Sequence, residues 1–197
     1  QGLKGITVYV EGSRSGVLVS DASQDKVFPQ NTAPKRPVEL PCNIHHTTIQ
    51  GEKWVVMVGL MEGRPYEVMG GLAQYIEIPR DKAQGTLIKH PRKTMNSIYD
   101  LHIGTNGDTV IVKDLVKVFD NPNQSGFTRM ISLGLRHGAN IQYVVEQLQK
   151  DRDSDMFSFA KCIARILKNY IPDGQHATEK TCPECDSEGL IYVEGCA

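Results

Sequence analysis

Several features that would place a chain in a special class of protein are missing from this sequence. No apolar run approaches the ~20 residues of a membrane-spanning helix, and no charged segment followed by an apolar one marks a signal peptide. The formal net charge is −1 at pH 7, so there is no overall basic surface of the kind that binds nucleic acids or anionic membranes. We therefore expect a cytoplasmic globular protein with no membrane partner and no nucleic-acid ligand.

Paired cysteines and a phosphate-binding loop are missing as well. The chain has five cysteines, and an odd number at irregular spacing predicts reduced thiols rather than a disulfide framework. The glycine pairs near residues 70 and 105 do not follow the Gly-rich pattern that ends in Lys-Ser or Lys-Thr, so turns are their expected role. The chain begins with Gln1 inside a β-type run, from which we expect that a longer protein precedes it.

The strongest structural signal is the apolar run at residues 54–60, which contains the only tryptophan. A strand that is apolar at nearly every position is buried on both faces, so this segment is predicted to be central in a sheet. Turn-like segments flank it, and β-forming residues recur on both sides. An antiparallel sheet of six or seven strands is predicted, with strands at residues 44–49, 54–60, 65–69, 74–78, 85–89, 97–103 and 109–112.

After Asn121 the apolar spacing changes to that of helices. The first helix is predicted to end at His137-Gly138, the second to cover residues 141–148, and the third to cover residues 156–170 behind Ser154 as N-cap. The buried face of the first helix is predicted to carry Phe127, Met130, Ile131 and Leu135. Strands followed by about three segregated helices that cover the sheet predict an α+β fold.

The cysteine-rich tail has a pattern of its own. Cys182 and Cys185 are separated by two residues, a β-type run covers residues 189–193, and Cys196 follows. This order is typical of a zinc ribbon, but a closed structural site needs four ligands. Either the fourth ligand lies beyond Ala197, or His176 completes the site, or the Cys182–Cys185 pair is a redox pair. A tail that binds nothing is the remaining alternative.

Three other candidates are expected to be structural. The basic pair Lys35-Arg36 lies in a proline-bearing segment, which favours a solvated linker over a phosphate site. Adjacent histidines in a strand point to opposite faces, so His45 and His46 are not expected to share a metal. Cys162 flanks the apolar stripe of the third helix, which favours a buried, unreactive thiol.

Taken together and in order, several segments resemble the C-terminal region of adenosylcobalamin-dependent (class II) ribonucleotide reductases. One departure is Val10-Glu11, where the family pattern has Arg-Asp. The matching segments are residues 4–9, 12–18, 35–37, 39–42, 59–71, 131–133, 135–138, 145–148 and 182–185.

The resemblance implies four parts. Residues 1–19 would be the end of the catalytic barrel, a barrel-remnant strand, and residues 20–43 a linker. Residues 44–173 would be the accessory α+β domain known as the TSCPD domain, and residues 174–197 a cut-short, zinc-ribbon-like tail.

The resemblance also implies a parent enzyme that reduces ribonucleotides to 2′-deoxyribonucleotides for DNA synthesis, with adenosylcobalamin as cofactor. The family's Asn-x-Cys-x-Glu loop is not present in this sequence. We therefore expect a fragment of a ribonucleoside-diphosphate reductase that contains no catalytic residue and is inactive alone. Its expected partners are the catalytic barrel and a thioredoxin-like reductant.

Two roles for the tail remain open under the resemblance. Cys182 and Cys185 would shuttle electrons to the active site, or Cys182, Cys185 and Cys196 would bind zinc, and the ribbon-like spacer favours zinc. The alternative function is a free-standing TSCPD and zinc-ribbon module with a binding or regulatory role. The coding sequence upstream of Gln1 separates the two, because only the fragment requires a barrel-coding region there.

Overall fold

The apolar run at residues 54–60 forms an interior strand that pairs on both sides, but this strand is second from one edge of the sheet rather than at its centre. A computed structural model describes residues 31–76, 78–93, 96–104, 109–119, 121–150, 158–177 and 189–193. The chain divides into the units Gln1–Asn31 and Thr32–Ala197, and the fold described below lies in the second.

The described residues form one open antiparallel sheet of six strands, and its spatial order is β3-β2-β1-β4-β5-β6. Four helices follow the strands in the chain, which confirms a mixed α+β fold. The strands are β1 (Glu39–Ile49), β2 (Glu52–Met61), β3 (Arg64–Leu72), β4 (Gln84–His90), β5 (Ile98–Ile103) and β6 (Val110–Val112). The helices are α1 (Leu115–Phe119), α2 (Pro122–Arg136), α3 (Ile141–Gln149) and α4 (Phe159–Lys168).

Strand β2 is buried on both faces because two separate apolar clusters pack on it. Val56 and Val58 face the cluster that contains side chains of α2, α3 and α4. Val55 and Met57 face the opposite cluster, which contains side chains of β1, β4, β5 and α1. All four side chains are at most 1% exposed, which explains why the strand has no polar alternation.

Two tight turns fix the register of the first three strands. Gln50 and Gly51 join β1 to β2, and Glu62 and Gly63 join β2 to β3. All four residues have positive φ, which is the backbone of type I′ hairpin turns. Glycine at the second position of each turn suits this conformation because it has no Cβ.

Side chains just before three helices cap their N-termini. Asn121 accepts hydrogen bonds from the backbone N–H groups of Asn123 and Gln124 ahead of α2. Asn140 and Ser158 cap α3 and α4 in the same way. Each cap satisfies backbone donors that the helix itself leaves free.

Several boundaries differ from the sequence prediction. The expected strand at residues 74–78 is a 3-10 turn, Ala73–Tyr75, followed by irregular backbone. Strand β1 begins at Glu39 rather than at residue 44, and the short helix α1 was not predicted. The last helix begins after Ser158, whereas the predicted cap, Ser154, lies outside the described residues.

One core position that was predicted on α2 is wrong. Met130 is 66% exposed, and Thr128 and Ser132 are buried on α2 in its place. Ser132 is held there by a hydrogen bond, since its Oγ accepts from the Val68 N–H of edge strand β3 at 2.9 Å.

The predicted hairpin turn at residues 105–108 lies outside the described residues. The strands on either side of it, β5 and β6, pair antiparallel, as the hairpin prediction requires.

The described residues of the tail, 174–177 and 189–193, pair with each other and contact the core of the domain. Residues 174–177 run antiparallel to residues 190–192, with hydrogen bonds from Ala177 N to Leu190 O and from Tyr192 N to Gln175 O. Tyr192 is 1% exposed and belongs to the cluster beneath the helices. No helix among the described residues is long and apolar enough to cross a membrane.

Gly71 provides a test of how closely the sheet and α1 pack. A Cβ added to Gly71 would overlap the ring of Phe119, which is buried. We expect Gly71→Ala to lower the free energy of unfolding by about 1–3 kcal/mol, as overpacked cores do, measured by urea denaturation. Gly126→Ala is the matched control, because a Cβ there meets no atom within 4 Å and helix propensity favours alanine by about 0.5–1 kcal/mol. Equal stability of the two variants would contradict this packing.

Candidate functional site

A buried carboxylate lies near the start of strand β3. The Glu67 side chain is 0% exposed although its strand neighbours are apolar. Its register partner on β2 is Gly59, and a Cβ on Gly59 would stand 2.8 Å from both Glu67 Cγ and a methyl carbon of Leu40. The Glu67 side chain therefore occupies space that a side chain at position 59 would fill.

Arg36 supplies most of the partners of that carboxylate. Its Nη2 donates to Glu67 Oε1 at 2.6 Å, and its Nε lies 3.1 and 3.0 Å from the two carboxylate oxygens. The same guanidinium donates to the carbonyl oxygens of Pro37, Val38 and Leu87. With a side chain only 5% exposed, Arg36 is a structural anchor. The prediction that the Lys35-Arg36 pair is solvated is wrong for Arg36.

Arg136 at the end of α2 is the second cation on the carboxylate. Its Nη2 donates to Glu67 Oε2 at 2.9 Å, and its side chain is 30% exposed. The guanidinium lies 5.2 Å above the ring centroid of Tyr66, whose hydroxyl donates to the carbonyl of Pro34 at 2.8 Å. Together with Arg36, these contacts join the segment before β1 to β3 and α2.

Two arginines on one carboxylate leave a surplus positive charge beneath the surface. Burying an ion pair costs desolvation energy that the attraction repays only with well-made hydrogen bonds, and the Glu67 oxygens receive several here. Because Arg136 is partly exposed, the surplus positive charge raises the electrostatic potential at the protein surface next to Arg136. The buried group is therefore both a structural clamp and a source of positive potential.

A cleft of about 670 Å³ opens beside Arg136, between β3, the start of β5, α1 and α2. Its lining has four cationic side chains and one carboxylate, which are Arg92, Lys117, Arg129, Arg136 and Asp114. Tyr99 also lines it, beneath the guanidinium of Arg36 at 5.4 Å from the ring centroid. Burial raises the pKa of Tyr99, and the Glu67 carboxylate adds to the increase. We call this the cationic cleft.

The histidine pair lies on β1 and is divided between the two faces of the sheet, as predicted. His45 Nε2 is 2.8 Å from the hydroxyl of Tyr170, which also accepts a hydrogen bond from Asn43. Burial lowers the pKa of His45, and the neighbouring His46 adds to the decrease. His46 lies beside Ile76 and Ile78, which belong to the opposite cluster. That the pair does not share a metal stays a prediction, which this placement on β1 supports.

The two described cysteines are unsuited to thiol chemistry. Cys42 and Cys162 are 2% and 1% exposed. Burial, with a smaller contribution from Glu67, raises the pKa of Cys42 to about 12. Burial also raises the pKa of Cys162. The prediction of a buried structural thiol at Cys162 is confirmed, and Cys42 is of the same kind.

The predicted tail site falls outside the described residues, since Cys182, Cys185 and Cys196 all lie there. His176, the proposed fourth ligand, is exposed and forms a β-bridge with Ile191. In the part of the chain that the structure describes, no three His, Cys, Asp or Glu side chains come together to hold a metal ion.

Sequence reasoning missed both Glu67 and the cationic cleft. One signal for Glu67 was present, because a single carboxylate interrupts an apolar strand and buried carboxylates need cationic partners. Its partners are 31 and 69 residues away in the chain, so no local pattern could identify them.

The family model described as "NrdJ homologue C-terminal domain" matches residues 40–172. No curated protein and no solved structure gives a significant match to the chain.

The clamp can be tested by neutralising its carboxylate. Glu67→Gln keeps the shape of the side chain but leaves Arg36 without a counter-charge in a buried position, so we expect a loss of about 3–5 kcal/mol in the free energy of unfolding. Urea denaturation measures it. Glu62→Gln in the exposed β2–β3 turn is the control, with an expected change within about 0.5 kcal/mol. Similar stabilities for the two variants would show that the clamp adds nothing.

The cysteines predict a labelling pattern. Thiolates are the reactive form, and a pKa of about 12 leaves roughly one Cys42 thiol in ten thousand ionised at pH 8. We expect iodoacetamide at pH 8 to leave Cys42 and Cys162 unmodified in the native chain and to modify both in urea, as read by peptide mass spectrometry. Rapid labelling of either in the native chain would contradict the packing around it.

Proposed function

The chain belongs to the NrdJ homologue C-terminal domain family, and from this premise we propose that it is the C-terminal accessory part of an adenosylcobalamin-dependent ribonucleotide reductase. The single observation that carries the proposal is the family match over residues 40–172. It agrees with the ordered resemblance of shorter segments along the chain. Under this proposal residues 44–173 are a TSCPD domain, and the protein works in the cytoplasm.

The chemistry of the described cysteines supports an accessory role. Ribonucleotide reduction of this type needs a cysteine that becomes a thiyl radical. Cys42 and Cys162 are buried with raised pKa values, and neither lies in an Asn-x-Cys-x-Glu sequence. Under the proposal, adenosylcobalamin and the radical step belong to the catalytic barrel of the parent enzyme.

The clamp around Glu67 gives the domain a way to hold the segment that precedes it. Arg36 and Pro34 are bonded to Glu67 and Tyr66 of β3, so the polypeptide enters the domain at a fixed place. In the parent enzyme we propose that this segment is the end of the linker from the barrel. A linker held in this way limits the positions that the domain can take on its partner, the barrel.

The tail is proposed to bind zinc through Cys182, Cys185 and Cys196. The pairing of residues 174–177 with residues 190–192 supports a ribbon, because it places an antiparallel pair around the segment that carries the first two cysteines. The competing role is a redox relay. In that role the Cys182 and Cys185 thiols are oxidised to a disulfide while an active-site disulfide is reduced to two thiols, and a thioredoxin-like reductant then restores the pair.

The accessory role predicts that the 197-residue chain has no reductase activity by itself. With adenosylcobalamin, a ribonucleotide and dithiothreitol, we expect no deoxyribonucleotide by chromatography, whereas the product of the complete gene should form it under the same conditions. Turnover by the chain alone would refute the proposal. A complete gene product with no reductase activity would refute it as well.

The two tail roles separate in the complete gene product. For a zinc site, Cys182→Ser should remove about one bound zinc per chain, measured by atomic emission. For a redox relay, the same substitution should abolish turnover with thioredoxin and preserve turnover with dithiothreitol, because a small dithiol reaches the active site directly. Loss of thioredoxin-dependent turnover with no zinc in the unsubstituted protein would reverse the assignment.

A further inference from the structure

Strand β1 loses its partner on one side about halfway along its length. It pairs with β2 over Cys42–Ile49, but its pairing with β4 ends at Asn43, opposite Gln84, the first residue of β4. The last backbone hydrogen bond on that side joins the Ile44 N–H to the Ala83 carbonyl at 2.8 Å. Beyond residue 44, β1 therefore has an open edge on the side where β4 would continue.

The hydrogen-bonding pattern shows which backbone groups face this open edge. In an antiparallel sheet the N–H and C=O of alternate residues point to the same side. The Val38 carbonyl and the Ile44 N–H both bond on the β4 side, and the register with β2 is continuous over residues 42–49. His46 and Thr48 therefore direct their backbone groups to the open edge, where no described residue pairs with them. An unpaired edge of this kind is a template for another extended segment.

A groove follows the open edge. It consists of two cavities of about 470 and 380 Å³ that share His46, Thr47 and Arg80 in their linings. Arg165 of α4 borders the first cavity and Lys53 of β2 borders the second. The Nε2 atom of His46, where the cavities meet, is buried with no hydrogen-bond partner among the described residues. We call this surface the β1 groove.

The charged groups of the β1 groove are cations. Arg80, Arg165 and Lys53 are exposed, and no Asp or Glu is among the described residues that line the groove. In that part of the chain, none of the three cations has an ion-pair partner, and Asp81, next to Arg80, pairs with Lys82. Clustered cations without a counter-charge attract and orient an acidic partner.

We infer that the β1 groove binds an extended, acidic peptide segment of another protein, which adds to the sheet as a strand beside residues 45–49. Its main chain pairs with His46 and Thr48. Its carboxylates pair with Lys53 on one face of the sheet, with Arg165 on the other and with Arg80 between them. In strand addition the main chain supplies affinity and the side chains supply selectivity. The assignment does not depend on the proposed accessory role.

The first test is fluorescence anisotropy with the 197-residue chain and a labelled octapeptide in which Glu alternates with Val. This peptide should bind about tenfold or more tightly than the same peptide with Gln or Lys in place of Glu, because only Glu supplies counter-charges. N-methyl groups on consecutive central residues should weaken binding by a similar factor, since they block main-chain pairing. No binding of the Glu peptide, or equal binding of its N-methylated form, would overturn the inference.

Amide hydrogen exchange by NMR locates the added strand. In the free chain the N–H groups of His46 and Thr48 should exchange faster than those of His45 and Thr47, which point to β2. Saturation with the Glu peptide should slow exchange at the first two and leave the other two unchanged. Slow exchange at His46 and Thr48 in dilute free chain would show that the edge is already paired. Slowing that needs only a higher protein concentration would assign the edge to a second copy. Either result, or binding without slower exchange, would overturn the inference.

Charge variants test the source of selectivity. Arg80→Gln with Arg165→Gln should weaken binding of the Glu peptide about tenfold or more, since each removes a charge-assisted contact. Both side chains are exposed, so circular dichroism should show an unchanged fold. The matched control is Arg64→Gln with Arg129→Gln, two exposed arginines outside the groove. Equal weakening by both pairs would overturn the location.

Proline variants test whether the edge is open. Thr48→Pro removes an N–H that has no partner in the free chain, and proline is tolerated where a strand's N–H faces solvent. The midpoint of urea denaturation should stay close to that of the unsubstituted chain, while the Glu peptide loses most of its affinity. Thr47→Pro removes an N–H that points to β2 and should lower the midpoint. Equal midpoints for the two variants would contradict an open edge at Thr48.

Discussion

The Glu67 carboxylate, held between Arg36 and Arg136, is the interaction on which the arrangement of the other elements depends. It joins the segment before β1, strand β3 and the end of α2. The carboxylate needs cations because it is fully buried, and the cations need the carboxylate because leaving a buried charge unpaired is costly. Gly59 makes this possible from the neighbouring strand by having no side chain. We expect this ion group to favour one arrangement of the chain, because an arrangement that separates the partners leaves a buried charge unpaired.

The same group connects fold to function. Two arginines share one negative charge, so the domain has a positive surplus that reaches the surface through Arg136, and the cationic cleft opens at that point. Under the proposed accessory role, the segment held by Arg36 is the end of the linker from the catalytic barrel. The side chains of Arg36, Glu67 and Arg136 therefore connect the segment before β1 with the cleft. A substitution that alters one of these two places is expected to alter the other.

Sequence reasoning predicted the features that depend on local pattern. The two-sided apolar run of β2, the hairpins around it and three of the four described helices were identified, because periodicity and turn residues are local properties. The segment at residues 74–78 was misread since β-forming residues there pack on the core without joining the sheet. Met130 was misread because Ser132 takes a buried position on α2 through its hydrogen bond with Val68 of β3, while Phe127, Ile131 and Leu135 pack on the core as predicted. Glu67 and the cleft depend on residues far apart in the chain, which no periodicity records.

The burial of Tyr192 shows that the folded unit extends beyond the residues matched by the family model. Its ring fills space in the cluster beneath the helices, and its backbone pairs with residues 174–175, although the family match ends at residue 172. At the other side, Arg36 lies before the match begins. A polypeptide trimmed to the matched residues would have an open cavity where the tyrosine was, and Glu67 would keep Arg136 but lose Arg36, the cation that supplies most of its hydrogen bonds. The smallest autonomous domain is thus wider than the stretch by which its family is recognised.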